Sequence, residues 1–293
     1  MDNGIRFQAK LLRRSWRHVK QMIRYQRLSL SDVPILFANS FPKSGTHLLT
    51  QVLEGFTELG PVVNSGLPAI TTFNGWTGGL RSTQEILTDL KRLQPADIAY
   101  GHLHAIQEVR DFICRNGFAP FFILRDPRDV VISHVHYVTD MEANHVHHHY
   151  YAQELHSFEE RVKVSISGRP ELGSDFPGIA ERFKPYLEWM QCSDVMVLRY
   201  ETFLQEREQI LKDIIRFVAK RGLNLRKKNA EIIQIEDAVH ILERFINPSR
   251  SPTFRQGKVN AWRDEFSQQN KQLFKEVAGD LLIDLGYEEN NDW

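Results

Sequence analysis

Cysteine is scarce in this sequence, and long apolar runs are missing from it. The chain has two cysteines, Cys114 and Cys192, which cannot make the disulfide framework typical of a small secreted protein. No apolar run reaches the roughly 20 residues that a membrane-spanning helix needs, and the N-terminus lacks a signal-peptide core. We therefore expect a protein of a reducing compartment, cytoplasmic and without a transmembrane span.

A net charge is missing as well, because 37 lysines and arginines balance 37 aspartates and glutamates. Without an overall positive field, nucleic acid is not an expected partner. The chain has 293 residues, and 42% of them are hydrophobic. That length and composition are sufficient for one α/β domain with a large core.

Acidic residues are absent from residues 5–27, although the same stretch carries many lysines and arginines. Its apolar residues recur at helical spacing and form one stripe: Ile5, Leu12, Trp16, Val19 and Ile23. A helix of this kind can lie on an anionic membrane surface, or it can pack its stripe on the protein's own core. We favour packing on the core, because most amphipathic helices belong to their own domain. Residues 1–30 are thus predicted to be a basic N-terminal helix, and residues 31–293 the main domain.

The most informative stretch runs from Pro34 to Phe56. A short apolar run suited to a buried strand is followed by a polar loop, and then by apolar residues at helical spacing. The loop holds Lys43, Ser44 and Gly45 and leads into Thr46 at the start of the helix. A helix N-terminus offers unpaired N–H groups and a partial positive charge, so the loop predicts an anion-binding site, most often for phosphate. The plain alternative is an ordinary turn with a surface lysine.

This loop lacks the Walker A pattern of ATP- and GTP-hydrolysing enzymes, since its lysine precedes the glycine. Pro42-Lys43-Ser44-Gly45-Thr46 after a strand resembles the 5′-phosphosulfate loop of sulfotransferases, which use 3′-phosphoadenosine 5′-phosphosulfate (PAPS) as donor. The resemblance implies that Lys43 to Thr46 hold the 5′-phosphate and the sulfate, with nucleotide contacts continuing through His47 and Leu48. Many soluble members have a tryptophan under the adenine where this chain has Leu48, so what stacks on the adenine is left open.

A second motif follows the apolar run Phe121 to Leu124. Asp126 suits a helix N-cap and Pro127 the first helical position, so Arg125 is expected to end the strand. Arg125 with Ser133 eight positions on matches the family's 3′-phosphate motif. The resemblance implies that both hold the 3′-phosphate of the donor. The alternative role for Arg125 is an ion pair with Asp126 or Asp129.

The candidate catalytic base is His102, which follows the short strand Ile98 to Tyr100. The carboxyl ends of parallel strands are where open α/β sheets bind their ligands, and imidazole titrates near neutral pH. In the sulfotransferase family the catalytic histidine lies a little over twenty residues before the arginine of the 3′-phosphate motif, as His102 does. The resemblance therefore implies that His102 is the base, with Lys43 as the second catalytic residue and His104 as a lower-ranked rival.

Further nucleotide contacts are implied by resemblance alone. The pair Tyr200-Glu201 follows the apolar run Val195 to Leu198, and the family's tyrosine at this place contacts the donor nucleotide. Near the C-terminus the family has Arg-Lys-Gly and then a tryptophan five residues after the glycine. The sequence here provides Arg255, Gln256, Gly257 and Trp262. Gln256 replaces the lysine, so one phosphate contact is in doubt, and Lys258 is a substitute for it.

Two segments could face an acceptor. Residues 60–82 are rich in small and polar residues and read as a long loop, with Phe73 and Trp76 either lining an acceptor pocket or pinning the loop to the core. Residues 134–149 hold six histidines: His134, His136, His145, His147, His148 and His149. We favour an exposed or acceptor-facing lid over a metal site, because the spacing is irregular and the family's chemistry requires no metal.

The alternation of strands and helices predicts one α/β domain, P-loop-like, with a central parallel sheet of about five strands flanked by helices. The expected activity is transfer of a sulfuryl group from PAPS to a hydroxyl or amine of a small-molecule acceptor, leaving 3′-phosphoadenosine 5′-phosphate (PAP). Likeness to bacterial and cyanobacterial small-molecule sulfotransferases favours a natural-product acceptor, such as an alkaloid toxin, although no residue identifies it. The alternatives are a nucleotide-dependent small-molecule kinase and a non-catalytic module that binds a membrane or a partner.

Overall fold

The computed structural model describes residues 2–75, 77–226, 232–251 and 257–293. Its centre is a sheet of six parallel strands in the order β2-β4-β1-β5-β6, with β3 pairing separately with β4. The strands are β1 (Ile35–Ser40), β2 (Val63–Asn64), β3 (Ile70–Thr71), β4 (Asp97–His102), β5 (Phe118–Leu124) and β6 (Met196–Arg199). The predicted parallel sheet is confirmed, with two very short strands inside the segment that was expected to be a loop.

Helices connect the strands and cover both faces of the sheet. They are α1 (Asp2–Arg24), α2 (Thr46–Gly55), α3 (Thr83–Leu90), α4 (Gln107–Arg115), α5 (Pro127–His136), α6 (Phe158–Ser167), α7 (Ile179–Phe183), α8 (Tyr200–Gln205), α9 (Arg207–Lys220), α10 (Ile235–Phe245), α11 (Trp262–Glu265) and α12 (Gln268–Asp284). Two π-helical turns, Tyr137–Met141 and Tyr150–Glu154, lie in and beside the histidine-rich segment. No helix in these described ranges is both long and apolar enough to cross a bilayer.

The strand β1 shows why the sheet is buried on both faces. Its side chains alternate between two hydrophobic clusters: Ile35 and Phe37 belong to one, and Leu36 and Ala38 to the other. Continuous apolar strands of this kind are typical of parallel sheets with helices on both sides. Because β1 lies between β4 and β5, the chain after each of these three strands emerges at the same edge of the sheet. Ser40, His102 and Arg125 are thereby brought to one edge.

The N-terminal helix α1 packs against the domain with its polar face rather than its apolar one. Arg14 is buried and pairs with Asp97 at 3.2 Å, and Gln21 donates to the carbonyl of Val62 at 2.9 Å. Leu12, Trp16 and Ile23 are 73%, 69% and 72% exposed. The prediction that the apolar stripe packs on the core is therefore wrong. The surface beneath α1 presents the buried carboxylate of Asp97 and the backbone carbonyl of Val62. Both groups are hydrogen-bond acceptors, so they require donors rather than apolar side chains.

Candidate functional site

The loop between β1 and α2 has the predicted strand–loop–helix arrangement, and two of its residues adopt left-handed backbone conformations. Lys43 has φ 70° and Gly45 has φ 103°. A Cβ at Gly45 would lie 2.6 Å from Cδ2 of Tyr200, closer than carbon atoms can approach. Glycine is therefore required at this position both by its conformation and by the ring that packs against it.

Lys43 is a partly buried cation. Its Nζ lies 3.9 Å from the centre of the Tyr137 ring. Burial first, and then the positive charge of Arg125, lower the pKa of Lys43 to about 8. No acidic residue in the described ranges offsets these effects on Lys43. An ammonium group held in this way gains from an anionic ligand, because the ligand would supply the missing negative charge.

The N-terminus of α2 has unused hydrogen-bond donors. Gly45 occupies the N-cap and provides no side-chain cap, so the first amides of the helix have no partner there. Ser44 is fully buried, and its hydroxyl has no hydrogen-bond partner among the described residues. Buried, unsatisfied hydroxyl and amide groups are unfavourable unless a ligand or water engages them. The residues present thus fit a phosphate or sulfate group at this loop.

His102 is the last residue of β4, and Ser40 is the last residue of β1. The Nδ1 atom of His102 lies 3.1 Å from the carbonyl oxygen of Ser40 and 3.1 Å from its hydroxyl. An Nδ1–H that donates to the carbonyl leaves the lone pair on Nε2. The Ser40 hydroxyl also lies 2.7 Å from the hydroxyl of Thr46, so the histidine and the start of α2 are joined by one hydrogen-bonded chain.

The electrostatic surroundings keep His102 neutral. Burial is the main effect that lowers the pKa of His102; the hydrogen bond to the Ser40 carbonyl opposes it, and the charges of His47 and Lys43 lower the pKa further. The pKa of His47 is lowered as well, by burial and by Lys43. The positive charge of Lys43 thus disfavours protonation of both histidines. A neutral imidazole there can accept a proton.

His104, the rival to His102, has a different environment. Its ring contacts the rings of Phe73 at 5.2 Å and Tyr186 at 4.8 Å, both edge-on. Burial lowers the pKa of His104 to about 4. Its backbone N–H donates to the hydroxyl of Thr72. His104 therefore belongs to an aromatic cluster, with Phe73 on its more exposed side.

Arg125 is the first residue after β5, so the strand ends at Leu124, one position earlier than the sequence predicted. Its Nη2 donates to the carbonyl of Lys258 at 2.8 Å and lies 3.3 Å from Oδ2 of Asp129. The ion pair with Asp129, one of the alternatives drawn from the sequence, is thus present. Asp126 instead pairs with Arg128 at 2.7 Å and caps α5, as predicted for an N-cap. The buried Nε of Arg125 has no partner among the described residues.

Tyr200 joins the two basic clusters. It begins α8 directly after β6, and its ring packs against Gly45 of the first loop. The guanidinium of Arg125 lies 4.8 Å from the centre of the same ring. After burial, the positive charge of Arg125 is the second cause that lowers the pKa of Lys43. The first loop and Arg125 therefore adjoin the same aromatic ring.

Acidic side chains hold the surrounding segments in place. Glu201 accepts hydrogen bonds from the backbone N–H of Asp126 at 2.9 Å and from the hydroxyl of Tyr287 at 3.0 Å. Asp129 accepts from the backbone N–H groups of Asn260 and Trp262 at 2.9 and 3.0 Å. The start of α5, two residues after Arg125, is thereby tied to the C-terminal part of the domain.

The predicted C-terminal contacts are only partly described. Arg255 and Gln256 lie outside the described residues, and so does Trp76 of the long loop. Gly257 is described and has a left-handed backbone with φ 62°. The ammonium of Lys258, the suggested substitute for the missing lysine, pairs with Asp264. In this structure Lys258 thus contributes its carbonyl to Arg125 rather than its charge to the site.

The structure also gives the positions of three further residues that were predicted to contact the nucleotide. Ser133 lies two turns into α5 and is half-buried. His47 and Leu48 lie in the first turn of α2 and are half-buried, and Leu48 packs against a hydrophobic cluster. Their proposed contacts with a nucleotide stay predictions.

The histidine-rich segment packs beside the first loop through Tyr137, whose ring lies under Lys43. Its histidines have separate partners: His134 Nδ1 lies 3.0 Å from the Ser165 hydroxyl, and His147 stacks on Phe176 at 3.9 Å. Within the described residues, no group of three or more His, Cys, Asp or Glu side chains is arranged to hold a metal ion.

Sequence reasoning missed Ser40 and Tyr137. Ser40 ends an apolar strand directly before the loop, and a lone hydroxyl at the end of a buried strand is a usable signal for it. Tyr137 gives no such signal, because its contact with Lys43 joins residues far apart in the chain.

Comparison with known proteins gives a consistent result. The family model of the sulfotransferase domain matches residues 34–286. Among solved structures, the chain is similar to a mouse sulfotransferase complexed with PAP, with 18% identity, a TM-score of 0.56, and 86% of this chain and 84% of that chain covered. It is also similar to retinol dehydratase in complex with retinol and PAP, with 16% identity, a TM-score of 0.55, and coverage of 90% and 85%. No curated protein matches the chain by sequence.

Proposed function

This chain belongs to the sulfotransferase family, and from that premise we propose that it transfers the sulfuryl group of PAPS to a hydroxyl or amine of a small-molecule acceptor. The observation that carries the proposal is that one ring, that of Tyr200, packs against Gly45 of the Lys43 loop and lies 4.8 Å from the guanidinium of Arg125. A ligand with anionic groups at both ends fits such a pair of cations. PAP, the product of this donor, is bound in the two similar structures.

The donor would be held at its two ends by different elements. Lys43, the Ser44 hydroxyl and the first amides of α2 would bind the 5′-phosphosulfate. The Ser44 hydroxyl has no hydrogen-bond partner among the described residues, and no side chain caps the helix. Arg125 and Ser133 would bind the 3′-phosphate. Arginine suits this role because its planar guanidinium makes paired, charge-assisted hydrogen bonds to phosphate oxygens. Arg255 and Gly257 are proposed to complete this end.

His102 would act as the general base. The hydrogen bond from Nδ1–H to the Ser40 carbonyl fixes the ring and leaves the lone pair on Nε2. Nε2 takes the proton of the acceptor hydroxyl or amine while that oxygen or nitrogen forms a bond to sulfur. The bond between sulfur and the bridging phosphate oxygen breaks in the same step, and its electron pair stays on the phosphate. His102 is neutral for this task, because burial lowers the pKa of His102.

Lys43 would stabilise the leaving group. The bridging oxygen gains negative charge as the bond to sulfur breaks, and a cation already fixed in a partly buried site interacts with it strongly. The N-terminus of α2 contributes its partial positive charge to the same oxygen. Catalysis in this proposal consists of positioning and electrostatic stabilisation, without a covalent enzyme intermediate.

The acceptor would approach from the side of the aromatic and histidine-rich residues. His104 lies two residues after His102, Phe73 lies two residues after Thr71, which pairs with His102 in the sheet, and the two rings are in contact. Tyr137 lies against Lys43. Aromatic rings with a few polar groups are typical of small-molecule sites. We propose a ring-containing natural product as the acceptor class, on the likeness to small-molecule sulfotransferases.

One assay separates this function from its alternatives. Purified protein is incubated with radiolabelled PAPS and a panel of phenol, sugar and amine acceptors, with and without a metal chelator. Transfer of label that persists with chelator supports the proposal. ATP-dependent labelling that needs Mg²⁺ would indicate a kinase, and no heat of binding with PAP would indicate a non-catalytic module.

A further inference from the structure

The helix α1 presents its apolar stripe to solvent. Leu12, Trp16, Val19 and Ile23 recur at intervals of three or four residues and are all exposed. Large apolar side chains that line up on one exposed face mark a surface that binds something else. From Leu12 to Ile23 the stripe covers about 16 Å, the C-terminal half of a 23-residue helix.

The stripe cannot turn inward, because polar contacts fix the opposite face of α1. Arg14 donates to the carbonyl of Arg92 at 2.6 Å and pairs with the buried Asp97. Arg17 donates to the carbonyl of Asn64 at 2.7 Å, on the edge strand β2. Rotating the helix would leave the buried Asp97 carboxylate without Arg14, and an unpaired buried charge is strongly unfavourable.

The charges beside the stripe identify its occupant. Arg13 and Lys20 are exposed and flank the stripe on the helix surface, and no acidic residue occurs between residues 5 and 27. A second copy of α1 would bring the same cations and no carboxylate to pair with them. A lipid surface has an apolar interior beneath its headgroups, and the apolar stripe can enter that interior. Anionic headgroups can pair with the cations that flank the stripe. Trp16 at the centre of the stripe is a residue type enriched at such interfaces.

We propose that α1 is an interfacial membrane anchor, which lies in the headgroup region of a membrane rich in anionic lipid. The helix packs at the β2 edge and at the amino end of β4, where Asp97 begins the strand. Ser40, His102 and Arg125 lie at the carboxyl ends of their strands, so the anchor leaves the sulfotransferase site accessible. This proposal holds whichever small molecule is the sulfuryl acceptor.

The test uses the full chain and vesicles of defined composition. The protein is sedimented with vesicles of phosphatidylcholine alone or with 30–40% phosphatidylglycerol, a range on the order of natural anionic membranes. We expect binding to the anionic vesicles, weakening as salt is raised. Lipids with brominated acyl chains should quench tryptophan fluorescence in the wild-type protein, and Trp16→Phe should abolish most of that quenching.

A matched pair of isoleucines provides the control. Ile23→Gln should weaken vesicle binding about ten-fold, because an apolar side chain no longer enters the bilayer boundary. Ile232 is 77% exposed and lies outside α1, and Ile232→Gln should leave binding unchanged. Glutamine is a good helix former, so Ile23→Gln should keep the fold, which circular dichroism verifies.

Three results would overturn the proposal. The first is failure of the wild-type chain to bind anionic vesicles at low salt. The second is equal loss of binding in Ile23→Gln and Ile232→Gln. The third is a dimer in analytical ultracentrifugation that Ile23→Gln dissociates while vesicle binding is absent, since the stripe would then be the contact between two copies.

Discussion

The Nδ1 atom of His102 lies 3.1 Å from the backbone carbonyl of Ser40, and this hydrogen bond sets which ring nitrogen can accept a proton. The two residues are the last of neighbouring parallel strands, so the sheet itself positions the imidazole. The same serine reaches Thr46 at the start of α2. The base and the anion-binding loop are therefore held by one short hydrogen-bonded chain.

Replacing His102 should separate binding from catalysis. We expect His102→Ala to lower kcat by about a hundred-fold or more, because general-base assistance is lost, while PAP binding stays close to wild type. Steady-state kinetics and calorimetry measure the two quantities. His104→Ala is the matched control and should retain most of kcat. Wild-type kcat in His102→Ala would remove this residue from the mechanism.

Replacing Lys43 should affect both binding and turnover. Lys43→Ala removes the cation beside the proposed leaving oxygen, and we expect kcat/KM to fall about a hundred-fold or more. Lys258→Ala is the control, because its ammonium pairs with Asp264 rather than with the site. The account is contradicted if the two variants lose activity equally.

The contact between Gly45 and Tyr200 can be tested through stability. Gly45→Ala should destabilise the protein by more than Gly117→Ala. Both residues have positive φ, but a Cβ at Gly117 meets nothing within 4 Å, whereas one at Gly45 lies 2.6 Å from the tyrosine ring. The shared conformational penalty is about 1–2 kcal/mol, and overlap adds roughly 1–3 kcal/mol at Gly45. Urea unfolding of both variants gives the difference, and equal losses would show that the ring moves aside freely.

The pH dependence of kcat/KM should be bell-shaped. His102 must be neutral to accept a proton, so the rate should rise with pH through its pKa, which burial lowers below the usual 6.5. Lys43 must be charged, so the rate should fall as pH rises through its pKa of about 8. In Lys43→Arg the alkaline limb should shift upward, because a guanidinium stays protonated there. An alkaline limb at the same pH in this variant would assign it to another group.

Much of the fold and of the first loop follows from local sequence pattern. The run Ile35 to Ala38, the break at Pro42 and the helical spacing from Leu48 onward predict β1, the loop and α2, and the structure has all three. The two-residue strands β2 and β3 escaped prediction, because pairs of residues carry no periodicity and depend on pairing with β4.

The orientation of α1 shows what local pattern cannot give. Periodicity correctly predicts a helix with one apolar stripe, but the side that packs inward depends on what the partner surface offers. Here that surface offers the carboxylate of Asp97, which is more than 80 residues from Arg14 in the chain. Contacts of this kind, like that between Lys43 and Tyr137, become visible only in the folded chain.

The central claim is that Lys43 and Arg125 bind opposite ends of one nucleotide, and calorimetry with PAP and adenosine 5′-monophosphate tests it most directly. These ligands differ only in the 3′-phosphate. We predict that the wild-type protein prefers PAP by about ten- to a hundred-fold, the contribution of a charge-assisted contact. Arg125→Ala should sharply reduce that preference, while Lys43→Ala weakens both ligands alike. An undiminished preference for PAP in Arg125→Ala would contradict the account.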